Sequence, residues 1–249
     1  MWKRISVVAA FSVWIAAAAF AASAMDKETL IVGTSGAYPP YEFHGQSGDL
    51  VGFDVDMTEA ITRKLGKKLQ WLDMPFDSLL PSLMADKIDL VSAGLSATPE
   101  RAKRVSFSSP YEISYSAFVT RVDYQPKSAD DLAGKTVAVQ IGTVQETFAR
   151  ALGNVEVKTY QKFDECVREV ALGRVDATLM DIPAAKAYVK AKDFDGKIAI
   201  AFNRQITGAD KAIAISKKNV ELTAAVSRII EEMDKNGELQ ALRDKWFKE

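Results

Sequence analysis

Two stretches, LMADKIDLVSAG (Leu83–Gly94) and VALGRVDATLMD (Val170–Asp181), align without a gap. Each reads as a helix end, a basic residue, a β-branched residue, an aspartate and then a β-rich run. In this register Gly94 corresponds to Asp181, each at the carboxyl end of its strand. The match predicts two similar α/β lobes that turn strand ends towards a common cleft. Ligands of open α/β sheets bind beyond the carboxyl ends of strands, and sites between domains are common.

The flanking sequence keeps the same rhythm. TLIVGT reads as a strand, DVDMTEAITRKLG as a helix stopped by Gly66, LQWLDM as a strand and FDSLLPSLMADK as a helix containing proline. Then follow the strand IDLVSAG and a helix opened at Thr98. That βαβαβ alternation argues a mostly parallel sheet with helices on both faces. After Tyr111 the pattern breaks into the strand YSAFVTR and the turn-rich VDYQPKSADDLAG. It then restarts as KTVAVQIG, QETFARAL, VEVKTY, FDECVREVALG, RVDATLMD and IPAAKAYVKA. IAIAFN and DKAIAIS are further strands. VELTAAVSRIIEEMDKNG and ELQALRDKWF close the chain as helices, the first with apolar spacing at Val226, Ile229, Ile230 and Met233.

Chemistry concentrates at the strand ends. In GLSATPERAKR (Gly94–Arg104), Thr98 and Pro99 start a helix, a hydroxyl cap followed by proline at the first helical position. The helix start favours an anion, yet Arg101 stands in its first turn. Two readings remain open at this level. Arg101 is either a surface cation beside Lys103 and Arg104, or, with Gly94 and Ser96, part of an anion site. In the second case its planar fork matches a carboxylate. Asp181 either caps the helix that follows, with Pro183 in its first turn, or faces the cleft and holds a cation. Arg101 and Asp181 on opposite walls would suit a zwitterion. Gly142 and Thr143, in QIGTVQE, offer a second set of donors at a strand–helix junction. Tyr38, Tyr41, Phe43 and Phe76 either wall a pocket or belong to the core.

Composition narrows the function classes. The chain opens MWKRISVVAAFSVWIAAAAFAASAMDKE, with Lys3 and Arg4, an apolar run and the small-x-small site Ala22-Ser23-Ala24. This is the pattern of a cleaved secretory signal peptide, residues 1–24; an uncleaved anchor is the competing reading. Loss of Lys3 and Arg4 takes Lys and Arg from 32 to 30 against 33 Asp and Glu, a formal charge of −3. Such a balance argues against nucleic acid as a partner. One cysteine, Cys166, excludes an internal disulfide and reads as a buried small hydrophobe; His44 reads as solvated in the loop HGQSGDL. One histidine and one cysteine give no basis for a transition-metal site, and no cofactor is expected. GTSG lacks dinucleotide-loop spacing, and AGKT lacks the first glycine of a phosphate loop.

Together these residues resemble the bacterial extracellular solute-binding proteins of the polar amino-acid uptake family (family 3). GFDVDMTEAI (Gly52–Ile61) is similar to the family's signature helix. AYPPYEF, DSLLPSLMADKIDL, SATPERAKRVSFSSPY, LAGKTVAVQIGT and NGELQALRDKWF fall in its order and spacing, over essentially Glu28 to Phe247. The resemblance implies a type II periplasmic-binding-protein fold, with lobe 1 at residues 28–115 plus 207–249, lobe 2 at residues 116–206, and two hinge strands between them. It implies that Arg101 grips an α-carboxylate, assisted by Gly94, Ser96 and Thr143, and that Asp181 takes the α-ammonium. Tyr38 and Phe76 would pack on the ligand, with Gln140 and Ser35 near its side chain. The expected product is a periplasmic, monomeric protein that hands an amino acid to the inner-membrane permease of an ABC transporter.

Relatives that bind cationic amino acids often carry an acid where this chain has Ser35. A polar, uncharged ligand is therefore expected; a cationic one would need Glu42 or Asp210 to substitute for the missing acid. Val144 stands where many relatives have a threonine, so Thr143 would contribute mainly its N–H. Two other functions fit the same scaffold. One is a cyclohexadienyl (prephenate or arogenate) dehydratase, which needs a positioned acid in the cleft. The other is a detached amino-acid sensor.

Overall fold

The computed structural model describes residues 24–248, apart from Ser114, Gly208 and Ala209. The expected leader, residues 1–24, lies outside the described residues except for Ala24. No helix among the described residues is long and apolar enough to cross a membrane.

In chain order the first half forms β1 (Thr29–Thr34), β2 (Ala37–Tyr38), β3 (Glu42–His44), β4 (Leu50–Val51), α1 (Phe53–Lys64), β5 (Lys68–Asp73), α2 (Phe76–Met84), β6 (Leu90–Val91), α3 (Pro99–Ala102) and β7 (Ser106–Phe107). The second half forms β8 (Ser116–Arg121), β9 (Thr136–Gln140), α4 (Val144–Leu152), β10 (Glu156–Tyr160), α5 (Phe163–Ala171), β11 (Ala177–Asp181), α6 (Ile182–Lys190) and β12 (Ile198–Arg204). The chain then returns through β13 (Ala214–Ile215), α7 (Val220–Lys235) and α8 (Glu238–Phe247).

The two large sheets have the same plan. One runs β5-β1-β6-β13-β7 and the other β10-β9-β11-β8-β12. In each, three parallel strands are followed by a fourth that runs antiparallel to both its neighbours, and the fifth runs with the first three. The fourth strand of each sheet is the one the chain enters after crossing between lobes. The crossing segments run side by side, Glu112 bridged antiparallel to Lys211. These antiparallel strands qualify the mostly parallel expectation without changing the class.

The repeated aspartates explain why the two motifs match. Asp89 accepts the Ile31 N–H at 2.9 Å and returns its own N–H to Ile31 O at 2.7 Å. Asp176 accepts the Thr136 N–H at 2.8 Å and returns its N–H to Thr136 O at 2.9 Å. Each clamps the central parallel strand of its sheet to the next, which sets the register and hence the height of the strand ends.

Some elements fall short of their sequence patterns. IDLVSAG is a strand only over Leu90–Val91, because the chain bends away as Gly94 enters the left-handed region at φ 55°. A small sheet, β2-β3-β4, was not anticipated. It is tied to α1, whose first amides Phe53 and Asp54 donate to Pro40 O and Tyr41 O, both at 2.9 Å. Gly52 permits this approach: a Cβ there would lie 2.1 Å from Tyr41 O. Cys166 is buried beside Val170, and burial pushes its thiol up to about 12. His44 is exposed, as the solvated reading expects, and its Nε2 lies 2.8 Å from the equally exposed Asp73 Oδ2.

Candidate ligand-binding cleft

One cavity between the sheets is lined by Ser35, Tyr38, Phe76, Gly94, Ser96, Arg101, Gln140, Thr143 and Asp181, all nine residues singled out from the sequence. Glu42, Gln145 and Phe163 are in the same wall. The walls already touch. Tyr38 stacks on Phe163 with ring centroids 4.6 Å apart, and Tyr188 OH donates to Ala37 O at 3.2 Å.

On one wall Thr98 caps α3 by accepting the Arg101 N–H at 3.2 Å. That cap fixes the backbone from which the Arg101 side chain turns into the cavity, where the residue is 8% exposed. Nη1 donates to Ser96 O at 2.8 Å, and Nη2 crosses to Gly142 O at 3.0 Å. Phe76 lies against it, its ring centroid 5.8 Å from Cζ. Among the described residues no ion pair joins Arg101 to a carboxylate. Burial, with Arg104 nearby, pulls its pKa down to about 10, so it remains a cation at neutral pH. A buried guanidinium held only by carbonyls lacks the counter-charge that normally offsets desolvation.

Asp181 does not cap α6 through its side chain. Its Oδ2 accepts Tyr38 OH at 2.6 Å and Lys211 Nζ at 2.7 Å, while its N–H donates back to Tyr38 OH at 2.9 Å. Lys211 is 1% exposed, donates also to Gly94 O at 3.0 Å, and lies 5.0 Å from the Tyr41 ring centroid. Burial alone would lower its pKa; Asp181 and Glu112 more than offset this and hold it charged. Fully buried lysine is rare unless paired.

Sequence reasoning missed Lys211. DKAIAIS marks a strand, but nothing in its period shows that the first lysine turns inward to a residue 30 positions away. Phe163, read only as the start of a helix, was missed for the same reason.

Two of the donors expected at the ligand are directed elsewhere, and so is the Thr143 hydroxyl. The Gly94 N–H donates to Asp54 Oδ2 at 2.7 Å, inside its own lobe. The Gln140 amide donates to Gln161 O at 2.9 Å. Thr143 Oγ1 donates to Gln140 O at 2.7 Å and caps α4 by accepting the Glu146 N–H at 3.1 Å. Gly94 itself has a steric role, since a Cβ there would come within 3.4 Å of the Tyr38 ring.

Behind the acidic wall are carboxyls held largely by burial. Asp54 is raised to about 6, its burial outweighing the bonds from Gly94 and Tyr111. Glu112 is raised to about 8, again by burial, although Lys211 opposes it and Tyr41 OH donates to it at 2.8 Å. Glu42, 1% exposed, is pushed well above the usual carboxylate range by burial and then by Asp54. Its Oε2 has no hydrogen-bond partner among the described residues.

The model of the bacterial extracellular solute-binding proteins, family 3, matches residues 30–249. The chain is 35% identical over 224 residues to the arginine-binding extracellular protein ArtP of Bacillus subtilis (strain 168), covering 89% of this chain and 87% of that one. It is 38% identical over 226 residues to the L-cystine-binding protein TcyJ of Escherichia coli (strain K12), covering 89% and 84%. Among solved structures it superposes on the ancestral amino acid-binding protein AncCDT-1, a precursor of cyclohexadienyl dehydratase. That match has a TM-score of 0.82 at 33% identity, covering 91% of this chain and 100% of the other.

Proposed function

The chain belongs to the bacterial extracellular solute-binding proteins, family 3, and from that premise we propose that it captures one amino acid between two closing lobes. The observation that carries this reading is Arg101, a buried cation without a carboxylate partner among the described residues, facing an acid-lined wall. Arg101 grips the ligand's α-carboxylate; the ammonium goes to the opposite side, where Asp181 and Glu42 stand. Tyr38 and Phe76 pack on the remainder. Ser35, Ser96, Gln140 and Thr143 complete the wall, and Gly94 leaves room for Tyr38.

Lobe 1 comprises residues 28–115 and 207–249, and lobe 2 residues 116–206. Only the closed state contacts the ligand from both sides, so binding shifts the population towards it. The ligand is polar and uncharged in its side chain. The protein works in the periplasm as a monomer and hands its cargo to the permease of an ABC importer. The relatives' binding of arginine and cystine supports the amino-acid class. Mass spectrometry of ligand released from purified protein, with a thermal-shift panel of the standard amino acids plus cystine, tests the reading. A bound amino acid raises the melting temperature by linkage; no shift across the panel overturns the proposal.

One observation favours a dehydratase as the second reading. Glu42 is a buried carboxyl in the cavity wall whose hold on its proton burial strengthens, the kind of acid that protonates a leaving hydroxyl. Formation of phenylpyruvate on adding prephenate would select that reading over binding.

A further inference from the structure

The acidic wall carries two carboxyls, and they are not equivalent. Asp181 is already matched. Lys211 lies on its Oδ2 at 2.7 Å, and Tyr38 OH takes the same oxygen at 2.6 Å. Lys211 also occupies the Gly94 carbonyl. A ligand ammonium placed on Asp181 would put two buried cations around one carboxylate. Glu42 lines the same cavity, is 1% exposed, and its Oε2 has no hydrogen-bond partner among the described residues. Buried polar atoms are almost always bonded, and an exception at a binding wall points to the group that completes it.

We propose that Glu42 receives the ligand's ammonium and ionises as it does so, while Lys211 remains the standing counter-ion of Asp181. This inference rests on the amino-acid reading above and assigns its cation-binding residue. The Glu42 carboxyl gives up its proton to solvent, and the resulting carboxylate accepts the ammonium N–H. The closed complex then holds three balanced pairs: Arg101 with the ligand carboxylate, Glu42 with the ligand ammonium, and Lys211 with Asp181.

The groups that act on the Glu42 charge come from several elements. Asp54 of α1, Asp73 of β5 and Asp181 of β11 disfavour it, whereas Lys211 favours it. Tyr38 of β2, Tyr111 and Tyr188 of α6 also feel its charge. None of these phenols ionises near neutral pH, so an arriving cation is the change that favours loss of the Glu42 proton. Below the Glu42 titration, binding therefore expels a proton and affinity rises with pH, up to tenfold per pH unit. Above it, affinity levels off.

The test uses the full mature protein and the amino acid giving the largest stabilisation in the panel of standard amino acids plus cystine. Calorimetric titration at several pH values, in two buffers of different ionisation enthalpy, should show proton release for the parent. In Glu42→Gln the buffer dependence should vanish and affinity fall at least tenfold. The preference for the amino acid over its 2-hydroxy analogue should fall towards one. Glu112→Gln and Asp54→Asn should each keep the proton release, which separates Glu42 from the two other raised acids behind the wall. Because the parent's buffer dependence is read without any substitution, poor folding of Glu42→Gln cannot mask the result. Tight binding with no proton exchange in the parent, or unchanged selectivity in Glu42→Gln, overturns this inference and leaves amino-acid binding standing. Failure of the whole panel overturns both.

Discussion

Lys211 Nζ and Asp181 Oδ2 lie 2.7 Å apart across the cleft, one beside the chain crossings and the other at the end of a buried strand. Both residues are nearly inaccessible, and the pair ties the segment at the chain crossings to the end of β11. Removing one partner of a buried pair typically costs about 3–5 kcal/mol. Here opening of the cleft gives the orphaned charge a route back to water. Lys211→Met should therefore leave each lobe folded but shift the protein towards an open form. Small-angle scattering should report a larger radius of gyration with near-parent secondary structure. Lys211→Met combined with Asp181→Asn should recover part of the closure. An unchanged radius in the single variant would show that the pair does not govern closure.

Arg101 presents a different case, because its partners in the protein are carbonyls. If a ligand carboxylate supplies the counter-charge, Arg101→Ala leaves that carboxylate buried and unpaired, at about 2–5 kcal/mol. Titration calorimetry should then show affinity reduced by roughly 30-fold or more. Arg101→Lys should recover only part of the loss, since an ammonium cannot reproduce the two-pronged geometry or reach Ser96 O and Gly142 O together. Parent-like binding by Arg101→Ala would remove it from the site.

Glu112 and Asp54 make stability depend on pH with a definite sign. Burial raises the folded-state values, Glu112 from 4.5 to about 8 and Asp54 from 3.8 to about 6. As pH climbs, the unfolded chain releases these protons first and the folded chain retains them. Their contribution is thus complete below the unfolded values and is lost as pH rises through the folded ones. Each tenfold difference in proton affinity between folded and unfolded chain is worth about 1.4 kcal/mol, so Glu112 alone accounts for a few kcal/mol. Glu112→Gln keeps an oxygen for the Tyr41 hydroxyl but cannot ionise. Its melting temperature should match the parent near pH 4.5 and exceed it at pH 8. Parallel curves for parent and variant across that range would contradict the assignment.

Most of the scaffold was legible because helices and buried strands write their periods into the chain. FDECVREVALG and RVDATLMD show this, forming α5 and β11. Of the nine wall residues, Gly94, Ser96, Arg101, Thr143 and Asp181 stood out through their places at strand ends and helix starts, Tyr38 and Phe76 stayed open between pocket and core, and Ser35 and Gln140 came only with the family resemblance. Lys211 and Phe163 were not legible, because their orientation depends on how one lobe closes on the other, and no local pattern records that. Gly94 was expected to offer its N–H to the ligand, but that N–H turns to Asp54 inside its own lobe, a contact between residues 40 positions apart that no local pattern records. The strands of the small sheet are two or three residues long, too short for alternation to register.

Asp89 and Asp176 test whether the two lobes are equivalent in energy as well as in plan. Asp89 also pairs with Lys27 at 2.6 Å, while Asp176 faces Lys135 at a looser 3.7 Å. Replacement by alanine leaves a strand amide, Ile31 or Thr136, without its acceptor. An unsatisfied buried amide costs about 1–3 kcal/mol. Each variant should lose hydrogen-exchange protection in its own sheet first, β1 and β6 for Asp89→Ala and β9 and β11 for Asp176→Ala. The Asp89 variant should lose more, since its carboxylate is the more buried and more closely paired. Equal loss of protection in both sheets from either variant would mean that the lobes unfold as one unit.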